Sequence, residues 1–515
     1  MRYGFAIDQR TCIGCHACTV ACKTEHEVPV GQFRTWVKYV DQGQYPATTR
    51  EFGVLRCNHC TDAPCVTVCP TKSLFKREDG IVDFDSERCI GCKSCMQACP
   101  YDAIYIDEDT HTAAKCNFCA HRIDQNLEPA CVVVCPTHSI WVGDLDDPQS
   151  GIAKLVATHP TSVRAPEQNT GPNLIYIGAD RAVLDPLAAP VDTSYVWSRP
   201  DEHRAEVAED LAPDAAVTGA HTTLNTAHSR PWGWRVTTYL WTKGVGAGAL
   251  IVACGALAQD VELEELTTLV APALAAAGTA VTGILLTWDL KRPDRVLYIF
   301  TKPNPDSWLF KGALVLVGYG AVSGAWLATG VAQRLGVIGA PGARGALARL
   351  RWVAAPGAAL TAGYTAFLFG QAEGRDLWQS PQLLWQLLTQ ALVAGSGALL
   401  TAAGFMKLEA NARRWLARGF VGASVAHLTM LAAEYGTGHE TKNAATAARM
   451  ITHGRYAKLF RYGAVGLSVA GAAAAVPALG GRRRWWAAAG GLIAQAGLLA
   501  YESVFVRAGQ DVPLS

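Results

Sequence analysis

Sixteen of the 17 cysteines in this 515-residue chain lie between Cys12 and Cys135, in four groups of related spacing. Cys12, Cys15, Cys18 and Cys22 read C-x2-C-x2-C-x3-C. Cys57, Cys60, Cys65 and Cys69 place four residues rather than two before the third cysteine, and Pro70 follows. Cys89, Cys92, Cys95 and Cys99 restore the first spacing ahead of Pro100, whereas Cys116, Cys119, Cys131 and Cys135 stretch it ahead of Pro136. Thiolates three apart on a tight turn can wrap three irons of one cube, while a fourth, four residues on, points toward a neighbouring cube. Zinc also takes four thiolates but needs only C-x2-C pairs. A third and a fourth cysteine in every group exceed that need, so all sixteen are candidate ligands of four cubane [4Fe-4S] clusters. His16, His59 and His121 lie in or near the groups. With the thiolate count complete, they are expected as solvated or supporting residues. Cys254, alone in an apolar stretch, reads as a small buried hydrophobe.

The elements that must position these ligands also recur. Each Cys-Pro is followed by a short apolar run: Ser73-Leu74-Phe75, Ala103-Ile104-Tyr105 and Ser139-Ile140-Trp141. After the first of these, Arg77-Glu78-Asp79-Gly80 leads into Ile81-Val82-Asp83-Phe84, an Asp-Gly turn between alternating segments and hence a hairpin. Pro172 to Gly178 reads as a last strand. Residues 1–182 are thus expected as an α+β domain of repeated ferredoxin-like modules. From 183 to 230, Ala, Pro, Asp and Glu recur without sustained period, which predicts an extended linker.

The remainder, 231–515, is dominated by Ala, Leu, Gly and Val. About eight apolar stretches there approach the roughly 20 residues needed to cross a bilayer. They centre near residues 248, 277, 320, 361, 393, 425, 469 and 496, which predicts an all-α polytopic bundle in contact with lipid. Small residues such as Gly244, Gly246 and Gly248 allow close helix approach. A formal net charge of +1 offers nothing toward nucleic acid, and no such partner is expected. Loop charges give only a weak bias: Lys291, Arg292, Arg295, Lys302, Lys311, Arg375, Lys442, Arg449, Arg455, Lys458 and Arg461 on one side face Arg344, Arg349, Arg413, Arg414 and the run Arg482 to Arg484 on the other. The start, MRYGFAIDQRTCIGC, shows no export signal, which places the cluster domain on the cytoplasmic side of the inner membrane.

The cysteine groups resemble the four-cluster ferredoxin-like electron-transfer subunits of the molybdopterin (dimethyl sulfoxide reductase) superfamily, over about residues 1–180. That resemblance implies the ligand sets Cys12, Cys15, Cys18 with Cys135; Cys22 with Cys116, Cys119, Cys131; Cys57, Cys60, Cys65 with Cys99; and Cys69 with Cys89, Cys92, Cys95. The first set would face a catalytic partner and the last the membrane. Trp232-Gly233-Trp234 leading into Tyr239-Leu240-Trp241-Thr242-Lys243-Gly244, then Trp288-Asp289-Leu290-Lys291-Arg292-Pro293 and Gln371-Ala372-Glu373-Gly374-Arg375-Asp376-Leu377-Trp378, resemble the NrfD/PsrC family of quinone-interacting membrane subunits, over about 230–510. A fusion of the two subunits is implied.

Charged groups at membrane depth are costly and mark candidate sites. Lys243, about one turn inside the first helix, is a candidate for a quinone oxygen. Tyr239, Asp289, Glu373, Arg375 and Asp376 are candidates for the quinone (menaquinone or ubiquinone) and its protons. His427, Glu434 and Glu502 are candidate relay or interhelical groups. The expected function is the electron-transfer and membrane-anchor subunit of a respiratory oxidoreductase, between a molybdenum or tungsten bis-pterin catalytic subunit and membrane quinone. Rival readings are a self-contained ferredoxin:quinone redox protein and a cluster-regulated ion-translocating module.

Overall fold

In a computed structural model, the described residues are 1–190, 219–261, 263–480 and 484–515. The middle of the expected linker, and Arg482 and Arg483 of the basic run, lie outside them. The front domain is organised by the strands that enter and leave the cysteine groups. β1 (Tyr3–Asp8) runs into the first group and pairs antiparallel with β8 (Ile140–Asp144), which leaves the last, and parallel with β10 (Leu174–Ile177). The two-residue β9 (Thr161–Ser162) completes this sheet in the order β8-β1-β10-β9. Phe5, Ala6, Ile7, Leu174 and Tyr176 are all buried, so β1 is covered on both faces.

The apolar runs after the Cys-Pro pairs all become strands. β4 (Leu74–Lys76) pairs with β5 (Val82–Phe84) in the expected hairpin, with Gly80 at φ +85° in its turn. β6 (Ile104–Ile106) pairs with β7 (Ala113–Lys115) in the same way. A longer hairpin, β2 (Thr35–Gln44) and β3 (Ala47–Arg56), lies between the first two groups.

The linker expectation needs correction at both ends. Val183, Leu187, Ala188 and Ala189 are buried, and β11 (Ala220–Leu224) adds a third strand to the β2–β3 hairpin, with Ala220 opposite Gln42. Thr222 is fully buried and donates through Oγ1 to Ala189 O at 2.7 Å. A five-residue strand in an Ala- and Thr-rich stretch carries too little periodicity to be read without its partner strand.

The back half contains, among the described residues, eight helices long and apolar enough to cross a membrane: Trp234–Ala258, Leu266–Asp289, Trp308–Arg334, Ala340–Gly370, Leu383–Gly404, Ala410–Gly436, Leu459–Gly480 and Arg484–Asp511. Each contains one of the expected centres. Small residues set the central crossing of the first and fifth helices. A Cβ on Gly248 would lie 1.7 Å from Ala391 O, and one on Gly395 would lie 2.0 Å from the Gly248 carbonyl carbon. With no hydrophobic drive between helices in lipid, such backbone contact supplies the packing.

The two halves meet along the loops after the second and fourth helices and the tail after the eighth. The backbone amides of Lys291 and Arg292 donate to Gly91 O and Ile90 O, both at 3.2 Å. Asn304 Nδ2 donates to Cys69 O at 2.8 Å and Ser307 Oγ to Val68 O at 2.7 Å. Gln97 Nε2 donates to Gln510 Oε1 at 2.7 Å. The second and third cysteine groups are thereby held against the membrane helices.

Candidate functional site

One turn is repeated in all four groups. The residue before the second cysteine, Gly14, His59, Gly91 or Phe118, has φ of +67, +44, +66 or +65°. This left-handed step turns successive backbone amides toward the thiols, the concave arrangement that suits an anionic group. Glycine takes it freely, whereas His59 and Phe118 are held there by packing: their rings meet edge-on at 5.0 Å, and Phe5 stacks on Phe118 at 4.1 Å.

The thiols fall into four neighbourhoods. Cys12 is in electrostatic range of Cys15 and Cys135, and Cys18 of Cys12 and Cys135. Cys22 neighbours Cys131 and Cys119, and Cys116 neighbours Cys22 and Cys131. Cys65 neighbours Cys57, Cys60 and Cys99. Cys92 neighbours Cys69 and Cys89, and Cys95 adds itself to those three. Charge interactions across sets order them in a row: Cys18 is in electrostatic range of Cys131, Cys116 of Cys57, and Cys95 of Cys65. Among the described residues no three His, Cys, Asp or Glu converge tightly enough for a single metal ion. Four thiols in each set, with a left-handed turn that aims backbone amides at them, are a donor set that suits an anionic iron-sulfur cubane. Burial pushes the thiols of Cys18, Cys22, Cys60, Cys92 and Cys99 up to about 12, so without metal they stay protonated and iron must displace the protons.

Exposure changes along the row. Cys15 is exposed, with Cys12 and Cys135 half-buried and Cys18 buried, whereas Cys69, Cys89 and Cys95 are buried and Cys92, which lines the membrane cavity, is half-buried. Buried cations accompany the thiols, and spacing gave no hint of them. Arg56 donates through Nη1 to Cys131 Sγ at 3.0 Å. Lys115 donates to the carbonyls of Val82 and Cys116. Lys93 pairs with Asp289 at 2.6 Å. The histidines are supporting groups of distinct kinds. His16 bonds Tyr39 Oη at 3.0 Å, buried His59 accepts from Val82 N at 3.2 Å, and His121 pairs with Glu25 at 2.7 Å.

At the membrane end of the row lies a cavity of about 740 Å³. It runs from Cys92 and Trp232 between the first four membrane helices, past Tyr239, Asp289, Ile284 and Tyr364. Ile284, Val317 and Trp288 are 65, 62 and 57 % exposed, so its mouth opens on the lipid-facing side. Of the residues singled out from sequence, Tyr239 and Asp289 line it.

The others lie elsewhere. Lys243 sits about two and a half turns into the first helix rather than one. It is buried behind Tyr364, its Nζ 4.6 Å from that ring and bonded to Thr365 Oγ1 and Ala362 O. Arg375 is in the seam between the halves, donating to Gln97 Oε1 at 3.0 Å and to Gln510 O and Val512 O. Asp376 accepts from Gln168 Nε2 at 2.7 Å. Glu373 lies beside Thr61, Asp62 and Thr170, with burial pushing its carboxyl up. The physical reason is the close seam: a Cβ on Gly374 would lie 2.6 Å from Cys99 O, so this motif is occupied in docking the cluster domain. His427 and Glu434 are buried on one helix, where Glu434 accepts from Ser380 Oγ at 2.7 Å and His427 packs edge-on against Tyr501.

Sulfur sets in a row, closed by an eight-helix bundle with an apolar cavity, define a multi-pass membrane protein of the iron-sulfur electron-transfer class. The comparisons agree. Residues 222–513, more than half of the chain, match the family model described as "Polysulphide reductase, NrfD", and residues 49–145 match "4Fe-4S dicluster domain". The chain therefore belongs to the NrfD family, with an iron-sulfur domain joined to its front. It is similar to a tetrathionate reductase subunit of Salmonella typhimurium, 46 % identical over 191 residues, 36 % of this chain and 76 % of that protein. A polysulfide reductase chain of Wolinella succinogenes is 40 % identical over 187 residues, 36 % of this chain and 98 % of its own. The iron-sulfur subunit ArrB of the arsenate respiratory reductase of a Shewanella species is 34 % identical over 225 residues, 34 % and 96 % respectively.

Proposed function

We propose that the chain passes electrons through four [4Fe-4S] clusters, one on each thiol set, between a catalytic partner at the Cys12 set and a quinone in the cavity beside Cys92. The observation that supports this reading most is the single row of thiol sets, exposed at one end and closed by an apolar membrane cavity at the other. Bound clusters supply one-electron transfer. The protein holds them in series, shields the inner sets from water, and presents Tyr239 and the Asp289–Lys93 pair at the cavity for orienting the quinone and handling its protons.

On the segments that carry the first and fourth cysteine groups, Ile13, Val20 and Val133 are 57, 61 and 58 % exposed, apolar surface suited to a protein partner. The reductase names of the similar proteins make a molybdenum or tungsten bis-pterin subunit the partner of choice, and it would hold the substrate site. The membrane is the inner membrane, with the cluster domain on the cytoplasmic side.

The test is the full chain in vesicles containing menaquinone, reduced with dithionite. A Cβ at Gly283 meets nothing within 4 Å in the cavity wall, so Gly283→Phe fills the cavity without touching the thiols. Quinone reduction is expected to fall more than about tenfold while iron stays at about sixteen per chain. An unchanged rate overturns the cavity assignment, and about four irons in the native chain overturns the row.

A further inference from the structure

We propose that Arg56 is a fixed positive charge that raises the reduction potential of the cluster on Cys22, Cys116, Cys119 and Cys131, making the second position of the row an electron-holding one. The inference rests on the four-cluster reading. Arg56 ends β3 and is fully buried. Its Nη1 is 3.0 Å from Cys131 Sγ, and its charge also acts on Cys116, Cys18, Cys22 and Cys119. One face of the guanidinium lies 4.6 Å from the centre of the Phe5 ring. Among the described residues no carboxylate pairs with it, and its Nε and Nη2 have no hydrogen-bond partner.

A guanidinium stays charged at any ordinary pH, and burying it unpaired costs several kcal/mol. Such a site is built for an anion. A cubane with four thiolate ligands is one, and its potential is set by net charge and by hydrogen bonds to its sulfurs. Each electron entering the set adds one negative charge beside Arg56 and leaves again to a neighbouring set, so the arginine favours the reduced state without taking part chemically. Of the other buried cations near the thiols, Lys93 pairs with Asp289 and Lys115 donates to two carbonyl oxygens, while Arg34, whose charge also acts on Cys22, donates to Tyr105 Oη at 3.3 Å and, among the described residues, touches no ligand sulfur by hydrogen bond. His26 Nε2, 3.2 Å from Cys119 Sγ, is a second side chain in hydrogen-bond reach of a sulfur of this set.

The experiment is an EPR-monitored redox titration of the purified full chain as native protein, R56Q and R56K. R56Q is expected to lower the midpoint of the cluster on the Cys131 set by at least about tenfold in its reduction equilibrium, 59 mV for one electron, with a smaller fall for the set that holds Cys18 and the other two unmoved. R56K, which keeps the charge, is expected to retain most of the native potential. Four clusters in R56Q with none shifted overturn the proposal, as does an R56K shift as large as that of R56Q. Should R56Q fail to assemble, R56K alone decides: a native-like midpoint supports the fixed charge and a tenfold fall overturns it. Fewer than four clusters in the native chain overturn the underlying reading and this one with it.

Discussion

The two halves of this protein bury different things. The front core is laced with cysteines and with cations that have almost no exposure, Lys38, Arg56, Lys115 and Arg164 among them. The bundle buries charge sparingly, as in Lys243, Glu434 and Glu502, and closes by backbone fit, with Gly248 and Gly395 at contact distance from the neighbouring helix. The front core is built around thiols that iron-sulfur clusters would hold together, so its stability is linked to iron. The bundle needs no cofactor to pack, because small residues let its helices touch directly.

That contrast is tested most severely by removing a ligand. Cys95 is buried and neighbours both the third and fourth sets. Cys95→Ser is expected to lose one cluster, about four irons per chain, and to loosen the front domain, while the helical circular dichroism of the bundle persists. Iron analysis and circular dichroism on one sample check both halves, and collapse of the bundle along with the cluster would break the distinction.

A smaller effect is expected from the opposite side. Gly248→Leu forces a side chain against Ala391 O and should cost more than the ~1–3 kcal/mol usual for overpacking, seen as a lower melting temperature in detergent. Iron content should stay at the native value, because the site lies deep in the bundle.

The effect confined to a change of slope concerns buried charge in the front domain. Burial, with the nearby Arg164 charge, pulls the pKa of Lys38 down to about 7. The unfolded chain then binds the proton more tightly than the folded one between pH 7 and about 10.4. Stability from this group is full above that window and is lost as pH falls through it, with a slope of up to about 1.4 kcal/mol per pH unit. Lys38→Met should flatten the rise in melting temperature between pH 7 and 10, and an unchanged slope would mean that Lys38 keeps its charge.

Much of this was legible in the cysteines themselves. The ligand candidates, the repeated strand after each Cys-Pro and the hairpin at Gly80 depend on spacings of a few residues, which the local chain realises without help. The eight helices were legible for a similar reason, since bilayer thickness turns composition into length. Where the quinone candidates would sit was not legible: Tyr239 and Asp289 line the cavity, while Glu373, Arg375 and Asp376 line or brace surfaces of the cluster domain. A charge at a helix end looks the same in sequence whether it meets a ligand, a lipid headgroup or a docked domain.

What the sequence determined alone is the inventory: sixteen thiols in ferredoxin-like order, an apolar half of eight spans, and a join between them. The tertiary structure decided the order of the row, the partners of the buried cations, and which end of the row meets the cavity. It also decided that β11, from the expected linker, completes a sheet with β2. The physical reason is range. Ligand spacing and helix length are set within one segment, whereas Arg56 beside Cys131, Asn304 beneath Cys69 and Gln97 against Gln510 join residues tens to hundreds of positions apart. No local pattern records those meetings.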